Sequence, residues 1–162
     1  MKSLIQLAAL LLSIGLCAPA AQAASPPSGQ FGLGLGGGLG VSGLSGKYYM
    51  GEAMAFQGIV GLRGSDGLGV GLDYLLERPS FAGGDPVSVG WNYGVGGTVV
   101  LDDNPIIGAS GIVGLELLLQ PLPIDFVLEW RPGILIYSGN GNSDGIGINI
   151  VNFSGHIRYY FG

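Results

Sequence analysis

Ile150-Val151-Asn152-Phe153-Ser154-Gly155-His156-Ile157-Arg158-Tyr159-Tyr160-Phe161-Gly162 is the stretch whose reading decides the fold. Val151, Phe153, Gly155, Ile157, Tyr159 and Phe161 form one set at period two, and Asn152, Ser154, His156, Arg158 and Tyr160 form the other. A helix would scatter both sets around its circumference, whereas a strand sends alternate side chains to opposite sides. One side is apolar and aromatic and the other polar and charged. The pattern predicts a strand standing between lipid and a polar interior.

Working outward, the same alternation recurs between turn residues. It predicts eight strands near Phe31 to Gly37, Leu44 to Met50, Ala53 to Leu62, Leu68 to Glu77, Ser88 to Val100, Ile106 to Leu119, Ile124 to Tyr137 and Ile148 to Phe161. Glycine-rich or proline-rich connections such as Gly64-Ser65-Asp66-Gly67 and Gln120-Pro121-Leu122-Pro123 separate them. In the seventh segment Ile124, Phe126, Leu128 and Trp130 oppose Asp125, Glu129 and Arg131. Slipping it by one residue would place those charges in lipid, where one basic group costs about 2 to 4 kcal/mol at mid-depth. Pro132-Gly133 interrupts this segment, so a β-bulge is expected there.

Lys2, the apolar run Leu4 to Leu16 and the small-residue site Ala21-Gln22-Ala23 predict a cleaved signal peptide over residues 1–23. Residues 24–162 are then a single domain. Cys17 is the only cysteine and falls in the leader, where bulky Leu16 argues against lipoprotein processing. Without Lys2, five basic residues face eleven acidic ones, which argues against nucleic acid as a partner. Charged residues are 10% of the chain, against about 25% in soluble domains. No apolar run of helical membrane-spanning length follows the leader, so a lipid location requires a closed barrel. The expected fold is all-β, an eight-stranded antiparallel up-and-down transmembrane β-barrel. It is expected as a monomer in the bacterial outer membrane, after export across the inner membrane.

With both chain ends placed on the periplasmic side, the outward aromatics Phe31, Phe56, Tyr74, Trp91, Phe126, Tyr159 and Phe161 fall near one end of their strands, as a membrane-interface girdle would. Lys47, Arg63, Asp73, Glu77, Glu116, Asp125, Glu129, Arg131, His156 and Arg158 are assigned to the inner face. Two readings of that face are open: a salt-bridged plug, and a polar channel for ions or a small ligand. Eight strands enclose a lumen that side chains can fill, and unpaired charge there is costly, which favours the plug. Arg131 and Arg158 are expected to pair with Glu116, Glu129 and Asp73.

The chain resembles a family of short, mostly uncharacterised bacterial outer-membrane β-barrel proteins. The resemblance rests on Gly43-Leu44-Ser45-Gly46-Lys47-Tyr48-Tyr49, Leu72-Asp73-Tyr74-Leu75, Trp91-Asn92-Tyr93-Gly94-Val95-Gly96-Gly97, the stretch Ile124 to Trp130 and the ending Arg158-Tyr159-Tyr160-Phe161. It implies insertion by the barrel-assembly machinery through the C-terminal strand, with outer-membrane lipid as the surrounding partner. Gly162 departs from the family by following the terminal aromatic.

Other motifs carry less. Gly32 to Gly37 spells G-x-G-x-x-G but leads into more glycine alternation, not into a helix, so glycine filling a narrow inner face is the better reading. Ser154 and His156, with Glu116 or Glu129, sketch a lipid acyl hydrolase, yet Ser154 and His156 point inward. Asp102-Asp103-Asn104, with Asp66 and Asp85, fits no calcium loop. No catalytic residue, metal or cofactor is assigned. The function expected is a structural or surface-interaction role. The alternatives are a narrow pore or small-ligand transporter, a soluble lipid-binding barrel, and a membrane lipid hydrolase.

Overall fold

The structure is a computed structural model describing residues 29–38, 40–64, 67–84, 86–119, 122–138 and 145–161. The leader expected over residues 1–23, and Gly162, lie outside them. In chain order the strands are β1 (Phe31–Gly38), β2 (Val41–Gly51), β3 (Met54–Arg63), β4 (Gly67–Gly84), β5 (Val87–Leu101), β6 (Ile106–Leu119), β7 (Ile124–Trp130), β8 (Gly133–Tyr137), β9 (Gly145–Asn149) and β10 (Phe153–Phe161). Each of β1 to β6 pairs with the next, β6 pairs with β7 and β8, β7 with β10, β8 with β9, and β10 with β1. The sheet is therefore a closed antiparallel barrel of eight staves, the seventh made of β7 and β8 and the eighth of β10 and β9.

The two divided staves correct the expectation of a continuous seventh and eighth strand. Arg131 and Pro132 stand opposite two residues of β6, Gly111 and Ile112, but opposite three on the other side, Ile150, Val151 and Asn152. The bulge thus lies on the partner of the proline-bearing stave. Pro132 has no N–H to give the ladder, and the extra residue lets Asn152 bridge the gap. The Arg131 amide donates to the Asn152 carbonyl at 2.8 Å, and Asn152 Nδ2 donates to the Arg131 carbonyl at 3.2 Å. Across the bulge the faces change phase, so even-numbered side chains point outward on β9 and odd-numbered ones on β10.

Following partners around the wall from Phe31 leads through Tyr48, Phe56, Tyr74, Val95 and Gly111. The line then meets the bulge roughly ten residues from Phe161, a stagger that tilts the strands about 40° from the barrel axis. Such a narrow, tilted wall must bend sharply. Gly43 and Gly61 are cross-strand partners, and a Cβ on either would collide with a carbonyl oxygen of the neighbouring strand, Val60 or Ser42. Only glycine lets the backbones approach so closely.

The outer face is apolar. Leu33, Leu44, Val60, Leu72, Val95, Leu115, Leu128 and Ile157 are all exposed, and Arg78 is the one charged side chain facing outward from the strands among the described residues. Arg78 donates to the Tyr93 hydroxyl at 2.8 Å, beside the stacked Trp91. Two apolar clusters sit inside. Tyr49, Ala55, Leu75, Ile112 and Tyr160 lie toward the chain ends, while Val41, Ile59, Val100 and Ile106, with Leu135 and Tyr137, lie toward the β1–β2 and β5–β6 turns.

Candidate functional site

Register builds the site on the chain-end side of the second cluster, interleaved with the first. Lys47, Gln57, Asp73, Gly96 and Ser110 are successive cross-strand partners on β2 to β6. Glu77, Asn92, Gly114, Glu129 and Ser154 form a second such row. All point inward because each lies at the parity opposite to the apolar outer face. On β10, Arg158 lies directly across from Asp125 of β7.

The contacts run across the lumen as well as between neighbours. Lys47 Nζ lies 2.7 Å from Glu116 Oε2 and 2.8 Å from Glu77 Oε1, and the Tyr49 hydroxyl donates to Glu116 Oε1 at 3.1 Å. Arg158 binds Asp125 through Nε and Nη2, the latter at 2.8 Å, and donates from Nη1 to Gln57 Oε1. Tyr160 adds a hydroxyl to Asp125 at 2.6 Å. Gln57 Nε2 donates to both Asp73 and Glu129, at 3.1 and 3.0 Å. Arg131 pairs with Asp73 and Glu129, and Ser154 donates to Glu129 at 2.7 Å. Every one of the five buried carboxylates thus has a cation, although only three cations serve them. Lys47 and Arg158 are each 1% exposed. Charges so far from water persist only when paired and hydrogen-bonded.

Inner glycines make room for this packing. A Cβ on Gly96 would overlap the Asp73 carboxylate and crowd Arg131, and one on Gly36 would strike the His156 ring. The side chains missing from β1 and β5 are thus replaced by charged and aromatic groups reaching in from other staves.

Nine of the ten residues assigned to the inner face meet in this network. Arg63 does not. It lies at the turn end, paired with Asp102 at 3.2 Å and partly exposed, beside a cavity of about 690 Å³ shared with Asp103, Asn104, Ile106 and Tyr137. Inward parity was correct for Arg63, but β3 carries it past the apolar layer of Val41, Ile59, Val100 and Ile106. Arg158 also departs from the expected pairing, because Asp125 faces it across the strand pair while Glu116 is held by Lys47. Gln57, Tyr49, Tyr160 and Ser45 were not among the assigned site residues. Their inward parity was legible; the partners they bond were not.

The girdle residues Phe31, Phe56, Tyr74, Trp91, Phe126, Tyr159 and Phe161 point outward, and Tyr48 joins them between Phe31 and Phe56. Ser154 and His156 do not bond each other. The Ser45 hydroxyl contacts His156 Nδ1 at 2.9 Å, and His156 Nε2 lies 3.4 Å from Glu129, with all four residues buried. Gly32 to Gly37 lies within β1 and opens no helix. Asp102 Oδ1 accepts the Asn104 amide at 2.7 Å, the bond of an ordinary turn, while Asp66 and Asp85 lie outside the described residues. Among the described residues no group of three or more His, Cys, Asp or Glu side chains is placed to hold a metal ion. Compared with protein-family models and with curated proteins, the chain finds no match.

Proposed function

We propose that this chain is a small β-barrel protein of the bacterial outer membrane, exported behind its leader and inserted by the barrel-assembly machinery through its C-terminal strand. Its role is structural or surface-interacting, and its lumen is closed by the charged network. The observation that carries the reading is the inversion of polarity. Among the described residues the outer wall is predominantly apolar and its one charge is Arg78 at the aromatic end, while three cations and five carboxylates are buried inside. A soluble barrel would turn these faces the other way round. Lipid is the solvent for which this arrangement costs least, because a closed barrel satisfies its ladder internally and meets hydrocarbon with hydrocarbon.

A narrow pore is the weaker reading, since Lys47 and Gln57 bridge opposite walls. Hydrolysis is weaker still, since Ser45, Ser154 and His156 are buried and Ser154 is engaged by Glu129 rather than by His156. Envelope fractionation tests the localisation. The protein should sediment with outer membranes and be released by detergent, and recovery of folded protein from the soluble periplasm would overturn the reading.

A further inference from the structure

Among the described residues Arg78 is the one charge on the outer wall, and no described carboxylate lies within ion-pair distance of it. Its side chain is exposed, yet its head is held in place. Nη2 donates to the Tyr93 hydroxyl at 2.8 Å, and the guanidinium lies 5.5 Å from the centre of the Tyr93 ring. Trp91, the cross-strand partner of Arg78, stacks on the same ring at 5.5 Å. The Tyr93 bond uses only one N–H of the planar guanidinium fork.

The tilt of the strands fixes the depth of this group. A stagger of about ten residues over eight staves raises a cross-strand row by slightly more than about one residue per stave. Tyr74, reached from Phe31 along such a row on the fourth stave, therefore stands about four residues above it, and Arg78, further down β4, returns to the level of Phe31. The regular ladder ends there too. Arg78 pairs with Trp91 and Ala82 with Val89, so three residues of β4 stand against Gly90 alone. A lipid-facing arginine is costly at mid-depth and nearly free at the interface, so the charge sits where the hydrocarbon stops.

We propose that Arg78, with Tyr93 and Trp91 beside it, binds the phosphodiester group of a phospholipid in the leaflet on the chain-end side of the barrel. The inference rests on the membrane-barrel reading and adds a specific lipid contact to it. A guanidinium fork matches two phosphate oxygens at once, and phenol and indole rings settle at the depth of the headgroups. Because no described carboxylate offsets the cation, a headgroup of net negative charge is favoured over a zwitterionic one, whose ammonium the arginine repels.

Trp130→Phe leaves Trp91 as the only tryptophan, and its emission reads the lipid beside Arg78. In phosphatidylcholine vesicles, phosphatidylglycerol brominated near the headgroup end of its chains should quench Trp91 as though enriched roughly fivefold over equally brominated phosphatidylcholine, the gain of one basic group at an anionic surface. Arg78→Gln should remove the preference and Arg78→Lys keep part of it, while inorganic phosphate in the buffer should leave it unchanged. Protein that floats with the vesicles but is quenched equally by the two lipids, a comparison that needs no change at Arg78, overturns the site and leaves the membrane reading intact. A preference that survives Arg78→Gln, or that inorganic phosphate abolishes, overturns the site as well. Protein that fails to float overturns both.

Discussion

Lys47 on β2 reaches Glu116 on β6 at 2.7 Å, and these two strands are diametrically opposed, with three staves between them on either side. Adjacent strands pair by register alone, but a contact across the full lumen needs two long side chains and little between them. The same geometry recurs where Gln57 on β3 meets Glu129 on β7. Interior side chains are therefore tied to opposite walls, which is how a barrel of eight staves becomes a solid core.

Lys47→Met should be strongly destabilising, because it strands Glu77 and Glu116 together without a cation. Breaking a buried pair by removing one partner costs about 3 to 5 kcal/mol. Asp103→Asn, in an exposed turn, should change stability by less than about 0.5 kcal/mol. Urea titrations in detergent micelles, followed by tryptophan emission, measure both. Equal midpoints would refute the assigned role of Lys47.

Arg158→Met should behave like Lys47→Met, but Arg158→Met combined with Asp125→Leu should recover a good part of the loss. The double variant removes the orphaned carboxylate along with its cation, and apolar replacement of a whole buried pair is often neutral or better. A double-mutant cycle on the same titration should give a coupling of about 1 kcal/mol or more. Additive effects would mean that the two residues do not act as a pair.

Much of this was legible in advance because strand parity is a local property. Phe126, Leu128 and Trp130 faced outward and Asp125, Glu129 and Arg131 inward from their spacing alone, and the structure keeps that phase. The bulge at Ile150 to Asn152 was not legible. Pro132 announces a defect, but either of two adjacent staves can absorb it. Nor was the fate of Arg63, since parity gives direction and not depth, and depth depends on the tilt set by the whole ring. Cross-lumen partners were hidden for the same reason: Lys47 and Glu116 are brought opposite each other only by closure.

Glycine should prove unequal by position. Gly96→Ala would drive a methyl group into the Asp73 and Arg131 pair, and overpacking of this kind costs about 1 to 3 kcal/mol. Gly111 faces outward with nothing within 4 Å of an added Cβ, so Gly111→Ala should be neutral or stabilise by up to about 1 kcal/mol. Refolding yield into lipid and urea midpoints should rank the two. The reverse order would contradict the account of the inner glycines.

In planar bilayers the protein should give no large, steady conductance, because the cross-lumen ties leave no continuous wide path. Steady ohmic steps whose ion selectivity changes in Arg131→Glu would contradict the plug and favour a channel.

The polarity of the wall can be measured directly with the two native tryptophans. Trp91 and Trp130 both face outward, Trp91 near the aromatic end and Trp130 further along its stave, where its indole N–H donates to the Ile150 carbonyl at 2.7 Å. Reconstituted in vesicles of brominated phosphatidylcholine, their emission should be quenched by bromine on the acyl chains, with Trp130 responding most to bromine deep in the chain and Trp91 to bromine near the headgroup. Aqueous iodide should have little effect. Emission quenched by iodide and indifferent to bromolipid would place this face in water and contradict the membrane barrel.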